Sequence, residues 1–178
     1  MFTGIVQSKS KKKKIIKKNF GAELSVDVEN GFTNNLKKGD SIAVNGVCLT
    51  VCSFTKKNIK FEIIHESLRL TNLIKNSSMP LNLERSLKIG DEIGGHLVSG
   101  HIHGMGKVEE FKKGKEKILT ISKPAAIKEY IFKKGYVAIN GISLTVSSSS
   151  KKNFSVSLIP ETIERTNLAD TKKGDYLN

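Results

Sequence analysis

Apolar and polar positions alternate with period two along much of this chain. Ala22-Glu23-Leu24-Ser25-Val26-Asp27-Val28 is the cleanest stretch, and similar alternation runs through residues 41–52, 59–64, 118–122, 136–147 and 154–159. That period puts successive side chains on opposite faces of an extended strand, so it predicts many short β-strands, each with one buried face. Met1 to Val6 reads as a further strand-like segment. Turn residues punctuate the runs at Lys38-Gly39-Asp40, Asn45-Gly46, Lys113-Gly114, Lys134-Gly135 and Asn140-Gly141. Short helices are expected at about 66–73, 124–132 and 161–168, each opened by Glu or Pro. Many short strands joined by tight turns imply an all-β fold with a closed barrel or sandwich in each half.

The pattern occurs twice. Val44-Asn45-Gly46-Val47-Cys48-Leu49-Thr50-Val51 returns as Ile139-Asn140-Gly141-Ile142-Ser143-Leu144-Thr145-Val146, and Glu66 to Leu73 returns as Glu161 to Leu168, both 95 residues later. Phe2-Thr3-Gly4 is answered by Val98-Ser99-Gly100 at an offset of 96, so one residue was gained or lost near the start of a copy. A period this long exceeds the ~20–50 residues of solenoid units and marks a duplicated domain. Two modules are therefore expected, residues 1–87 and 97–178. Asn178 answers Asn82, after which the first module continues Leu83-Glu84-Arg85; the second module is thus expected to stop before its last strand is complete.

On the repeated strand, Val47, Leu49 and Val51 face one way, and Cys48, Thr50 and Cys52 the other. In the second copy Ile142, Leu144 and Val146 oppose Ser143, Thr145 and Ser147, and the serine run that starts at Ser147 reads as the beginning of a loop. If the aliphatic faces fill two barrels, each module shows a row of small hydroxyls or thiols outside. A single such row would be an ordinary solvent face. The same row in both copies, built from groups capable of nucleophilic chemistry where Lys or Glu would serve solubility better, points to a site.

Composition narrows the picture. The formal charge of +13 suggests nucleic acid, but seven lysines lie between Lys9 and Lys18, leaving +6 for the rest. That run falls between two strand-like segments without interleaved aromatics and reads as a solvated hairpin, so no nucleic-acid partner is expected. No apolar run approaches the ~18 residues of a membrane span, and the N-terminus begins apolar where a secretory signal would be basic, so a cytoplasmic protein with no membrane partner is expected. Cys48 and Cys52 lie four residues apart in one strand, roughly 13 Å, too far to bridge, and read as reduced thiols. His96, His101 and His103 cluster in sequence, but the spacing of five puts the first two on opposite faces of a continuing strand, and no metal site is expected. Residues 101–108 lack the spacing of a P-loop.

MFTGIVQ at the N-terminus, NGVCLTV, FEIIHESLRLTNL, LERSLKIGDEIGGHLVSGHIHG, YIFKKGYVAINGISLTV and SLIPETIERTNL together resemble the riboflavin synthase family, from the first residue to the last. The resemblance implies two similar six-stranded Greek-key β-barrels with short helices. It implies dismutation of two molecules of 6,7-dimethyl-8-ribityllumazine, a four-carbon unit passing from one to the other to give riboflavin and 5-amino-6-ribitylamino-uracil. The lumazine is electron-poor and its 7-methyl group acidic, so no cofactor is implied. The implied assembly is the family's homotrimer, expected to be weakened in this chain by the missing C-terminal segment, with lumazine synthase as a possible further partner. A C-terminal helix that helps hold the family's trimer has no counterpart in residues 97–178.

Carried over by motif, the first module's substrate site comprises Gly4, Ile5 and Val6, then Cys48, Leu49 and Thr50, then Glu62, Ile63, Ile64, His65, Glu66 and Ser67. The second module's comprises Gly100, His101 and Ile102, then Lys134, then Ser143, Leu144 and Thr145, then Ser157, Leu158, Ile159, Pro160, Glu161 and Thr162. Cys48, His101, Ser143 and Thr145 are the catalytic candidates. Cys48 and Ser143 are equivalent under the repeat, and the difference suits a thiol adding to one lumazine and a hydroxyl orienting or relaying protons at the other. An imidazole titrates near neutral pH, which suits His101 to acid/base work on the methyl proton. Two other readings are a non-catalytic lumazine- or flavin-binding protein of the same fold, which would need only one competent site, and a nucleic-acid-binding barrel supported by charge alone.

Overall fold

A computed structural model describes residues 1–10, 13–75 and 79–178. The first module contributes β1 (Ser8–Ser10), β2 (Lys13–Lys18), β3 (Gly21–Asp27), β4 (Ser41–Val44), β5 (Val47–Phe54), β6 (Asn58–Ile64), the helix α1 (His65–Leu70) and β7 (Leu81–Arg85). The second contributes β8 (Gly106–Lys113), β9 (Lys117–Ser122), a 3₁₀ turn over Ala125–Tyr130, β10 (Tyr136–Ile139), β11 (Ile142–Ser149), β12 (Asn153–Leu158), the helix α2 (Pro160–Arg165), a second 3₁₀ turn over Asn167–Asp170 and β13 (Tyr176–Leu177).

Every pairing between these strands is antiparallel. The first sheet runs β1-β7-β4-β5-β6-β3-β2, and the second β10-β11-β12-β9-β8-β13. β1 and β2 are consecutive in the chain yet sit at opposite ends of their sheet, so the sheet curls into a barrel. In the second module β8 takes the place of both, pairing with β9 on one side and β13 on the other. β13 reaches toward β10 through the Asn140 N–H, which donates to the Asn178 carbonyl at 3.1 Å, as Asn45 N–H donates to the Asn82 carbonyl at 2.8 Å in the first module.

The repeated Asn-Gly pairs close the β4–β5 and β10–β11 hairpins. Asn45 and Gly46 have φ of 48° and 78°, Asn140 and Gly141 48° and 79°, so both central residues are left-handed, as a type I′ turn requires. Beyond each hairpin the register slips between Val51 and Ser53, and again between Val146 and Ser148, which makes Cys52 and Ser147 the extra residues of equivalent bulges.

Three expectations need correction. Ser147 and the serines after it belong to β11 through Ser149, because β12 pairs with Ser148 and Ser149. Met1 to Val6 is not a strand but an extended segment whose one β-bridge pairs Phe2 with Val98. The lysine run is largely strand, with Lys13 to Lys18 forming β2 against β3; Lys11 and Lys12 lie outside the described residues.

Each barrel is filled by its inward rows. Leu24, Val26, Ile42, Val44, Leu49, Val51, Ile59, Phe61 and Ile63 are among those packing the first, and Leu119, Ile121, Ile139, Leu144, Val146, Phe154 and Val156 are among those packing the second. Burial of this kind stabilises by roughly 1.5–3 kcal/mol per large apolar side chain. Two residues cross over. Val6 of the first module belongs to the second core, and its repeat counterpart Ile102 packs against the first.

The modules meet about an approximate two-fold axis. A Cβ built on Gly46 would lie 2.6 Å from the backbone nitrogen of Gly141, and one on Gly141 would lie 2.8 Å from that of Gly46, so the two hairpin turns touch backbone to backbone. Around them six asparagines interlock reciprocally. Asn167 Nδ2 donates to Asn45 Oδ1 and Asn72 Nδ2 to Asn140 Oδ1, both at 2.9 Å. Asn82 Nδ2 donates to the Asn140 carbonyl at 3.0 Å and Asn178 Nδ2 to the Asn45 carbonyl at 2.8 Å. An amide both donates and accepts, so this network satisfies its own buried groups without charge.

Candidate active site

The polar rows of β5 and β11 lie where the alternation puts them. Leu49 and Leu144 are buried, Thr50 and Thr145 exposed, and Cys48 and Ser143 half-buried between. Cys48 and Ser143 are each the second residue of the strand that follows the axial hairpin, which sets both near the junction of the modules. Cross-strand pairing puts Ser41 opposite Thr50 and Tyr136 opposite Thr145.

The segments that cover these residues are exchanged. Phe2 and Val98 share two backbone hydrogen bonds, Phe2 N–H to Val98 O at 2.8 Å and Val98 N–H to Phe2 O at 3.0 Å. From that crossing the N-terminal segment runs onto the second barrel, where Ser143 N–H donates to Gly4 O at 2.9 Å. The answering segment runs onto the first, where Cys48 N–H donates to Gly100 O at 2.9 Å. Contact is tight enough that a Cβ on Gly4 would lie 2.6 Å from the Ser143 Cβ, and one on Gly100 2.6 Å from the Cys48 Cβ. Motif order therefore misassigned two groups. Gly4, Ile5 and Val6 accompany Ser143, whereas Gly100, His101 and Ile102 accompany Cys48, because the bridge carries each strap across the axis.

Beside Ser143 stands a residue that the sequence suggested only as a metal ligand. His96 Nδ1 lies 2.5 Å from Ser143 Oγ, and its ring stacks on Tyr136 at 4.0 Å between centroids and 10° between planes. The His96 backbone N–H donates to Thr3 O at 2.9 Å, which ties the ring's position to the strap. A serine hydroxyl with an imidazole at hydrogen-bond distance can pass a proton to and from a bound molecule. Tyr136 carried no sequence signal; its ring holds the imidazole plane and leaves an exposed aromatic face.

The remaining candidates frame the two sites. His101 is exposed next to Gly100, its N–H donating to Ser99 Oγ at 3.1 Å. Glu62, Ile64, His65 and Glu66 are exposed at the end of β6 and the start of α1, with Ser67 half-buried; His65 Nε2 meets Asn19 O at 3.0 Å. Ser157, Ile159, Pro160 and Glu161 are exposed, and Thr162 half-buried, at the matching end of β12 and start of α2. Ile64 and Ile159 leave 56% and 62% of their surface open, and Ile5 47%, so apolar patches flank both sites on which a flat ring could rest. Val6, Leu49, Ile63, Leu144 and Leu158 have side chains buried in the cores, so only their backbone can face a ligand. Lys134 is exposed, at φ 70°, with its N–H donating to Val146 O at 2.9 Å.

One buried acid stands behind the strap. Glu84 on β7 accepts from Thr3 N–H at 2.6 Å, Thr3 Oγ1 at 2.9 Å and Gly4 N–H at 3.1 Å. Burial raises its pKa above the usual carboxylate value, against the lowering effect of these donors. No helix among the described residues is long and apolar enough to cross a membrane.

The chain matches the family model of the lumazine binding domain twice, over residues 3–86 and 99–178. It is similar over its whole length to riboflavin synthase of Buchnera aphidicola subsp. Schizaphis graminum, 41% identical and covering 87% of that protein. It is likewise 40% identical to riboflavin synthase of Chlamydia pneumoniae, of which it covers 88%, and to that of Escherichia coli K12, of which it covers 85%. Among solved structures it is similar to LumP complexed with riboflavin, with a TM-score of 0.90 and 25% identity across 100% of this chain and 97% of that one. LumP complexed with 6,7-dimethyl-8-(1'-D-ribityl) lumazine matches in fold, with a TM-score of 0.89 and 24% identity across the same shares of the two chains. With both modules matched and the straps, cysteine and serine in repeat-related positions, the chain belongs to the riboflavin synthase family of two-barrel lumazine-binding proteins.

Proposed function

We propose that the chain makes riboflavin by dismutation of two 6,7-dimethyl-8-ribityllumazine molecules, one held at the Cys48 site and one at the Ser143 site. The observation that carries this reading is the pair of repeat-related sites with different chemistry: Cys48 under the Gly100 carbonyl, and Ser143 under the Gly4 carbonyl with His96 on its hydroxyl. Two identical substrates must take opposite roles, one giving and one receiving a four-carbon unit. Holding them in fixed orientation supplies much of the rate, since well-oriented reactants gain about 7–11 kcal/mol over free encounter.

In this reading Cys48 is the nucleophile that adds to an electrophilic ring carbon, and His101 beside it moves a proton. Ser143, with its hydroxyl on His96, relays the proton lost from the acidic methyl group, and Thr145 lies next along the same face. Thr50, Thr145 and the backbone of Leu49 and Leu144 offer hydrogen bonds to the heterocycle. The ends of β6 and β12 with the helices after them frame the ribityl chains. Lys134 supplies a cation to the second site in the same reading. The assembly is a homotrimer in which the first module of one chain faces the second module of a neighbour, and lumazine synthase is a potential partner in the cytoplasm. No cofactor takes part.

The test is incubation with the lumazine in the presence of a chelator and without nicotinamide or flavin, following riboflavin absorbance. Riboflavin should form. Loss of activity on chelation, restored by a metal, would overturn the mechanism. Tight binding of the lumazine without turnover would favour the second reading, a ligand-carrying protein, which the likeness to LumP keeps in view.

A further inference from the structure

Glu84 is the only buried acidic or basic residue among the described residues, 4% exposed, and the chemistry above does not use it. It lies on β7 of the first module, opposite Ala43 of β4. Its carboxylate faces the concave side of the N-terminal strap. Oε1 accepts from Thr3 N–H and Thr3 Oγ1, Oε2 accepts from Gly4 N–H, and the Ile5 backbone also hydrogen-bonds to the group. Four donors converge on two oxygens. Ionised carboxylate is the side chain of this length that can accept them all; an amide would turn its own N–H₂ toward a backbone N–H.

The other side of the same three residues forms the second module's site. Gly4 O receives the Ser143 N–H, and Thr3 O receives the His96 N–H, each at 2.9 Å. Ser143 and His96 thus hang from opposite ends of one dipeptide whose N–H groups are pinned by Glu84. We propose that Glu84 is a positioning residue for the Ser143–His96 pair, so that the last strand of the first module sets the geometry of the second module's site. It acts through the strap and touches neither substrate nor reacting atoms. The carboxylate is held against the cost of burial, visible in its raised pKa, which an apolar residue at this position would avoid. The inference rests on the reading of Ser143 and His96 as a substrate site.

Glu84→Gln keeps the shape and removes one acceptor oxygen. Hydrogen exchange of the Thr3, Gly4 and Ile5 amides should then accelerate about 10-fold or more, while that of the Cys48 amide, which hangs from the other strap, stays unchanged. The kcat should fall about 10- to 100-fold with KM little altered. A double-mutant cycle separates positioning from general loosening. In a Ser143→Ala background the effect of E84Q should shrink to about two-fold or less, whereas in a Cys48→Ala background it should persist in full. Should E84Q not accumulate as folded protein, Thr3→Val, which deletes the hydroxyl donor alone, should give the same coupling pattern at smaller amplitude. Equal losses in both backgrounds, or accelerated strap exchange with unchanged kcat, would overturn the positioning role while leaving the site reading intact. Failure of the unaltered chain to form riboflavin would count against the site reading instead, and the exchange measurement would still report whether Glu84 holds the strap.

Discussion

Replacing Gly46 by Ala tests whether the two barrels are locked through their hairpin turns. The new Cβ would sit 2.6 Å from the Gly141 nitrogen and 2.9 Å from its Cα, and neither is the end of a flexible side chain that could swing away. Two effects add. An L-residue held at φ 78° costs about 1–2 kcal/mol by itself. Relieving the contact means parting the turns by several tenths of an ångström, which stretches the Asn82–Asn140 and Asn178–Asn45 hydrogen bonds that clamp the same turns. Weakening two buried bonds of this kind costs about 1–3 kcal/mol, for a total of about 2–5 kcal/mol. Gly39→Ala supplies the control, since Gly39 has φ 93° and nothing within 4 Å of its built Cβ. Urea unfolding of the three proteins, with midpoints and slopes compared, reads the difference directly. The expected loss is about 1–2 kcal/mol at Gly39 and about 2–5 kcal/mol, larger by the cost of the two weakened bonds, at Gly46. Equal losses at the two sites would refute the claim that backbone contact across the axis holds the modules together.

Further outcomes follow from the same geometry. Cys48→Ala should lower the rate of riboflavin formation far more than Cys52→Ala, because Cys48 answers Ser143 beneath a strap whereas Cys52 is the extra residue of a bulge; equal losses would mean that packing has been mistaken for chemistry. His96→Gln should reduce kcat by about 10²-fold or more while ligand affinity, read by riboflavin fluorescence, changes little; an unaltered rate would remove His96 from the proton path. Mixing Cys48→Ala with Ser143→Ala protein should restore part of the activity if the sites of two subunits face each other, and none if each chain works alone. Because Glu84 has a raised folded-state pKa, its contribution to stability is full below the ordinary carboxylate value of 4.5 and is lost as pH rises through the raised one; Glu84→Gln should flatten that fall in thermal midpoint against pH, and an unchanged slope would contradict the burial argument.

Much of this was legible in the sequence for definite reasons. The repeat at a constant offset fixed the equivalence of Cys48 and Ser143, and period-two alternation fixed their half-exposed faces, because both depend on neighbours a few residues away. The Asn-Gly pairs announced their turns through the left-handed backbone that they tolerate. What sequence order concealed depends on long-range pairing. Nothing in MFTGIVQ says that Phe2 bridges Val98, so Gly4 was grouped with Cys48 when it covers Ser143. His96 looked like a member of a histidine cluster, and only the fold brings it to the serine hydroxyl and the Tyr136 ring. Glu84 read as an ordinary strand residue beside Arg85; its burial follows from the strap folding back over β7, a contact across 81 residues to Thr3. The buried asparagines were visible one by one in the repeat, but a network that spans the axis requires both modules in place.

The core of the proposed reaction is one substrate held in two copies with different roles. It is tested most directly by product stoichiometry, with purified protein, 6,7-dimethyl-8-ribityllumazine as the sole organic substrate, and chromatographic quantification of everything formed. Two lumazines should disappear for each riboflavin made, with one 5-amino-6-ribitylamino-uracil released beside it, and no requirement for an added carbon donor or oxidant. Riboflavin formed from a single lumazine with a separate four-carbon donor, or lumazine bound and returned unchanged, would contradict it.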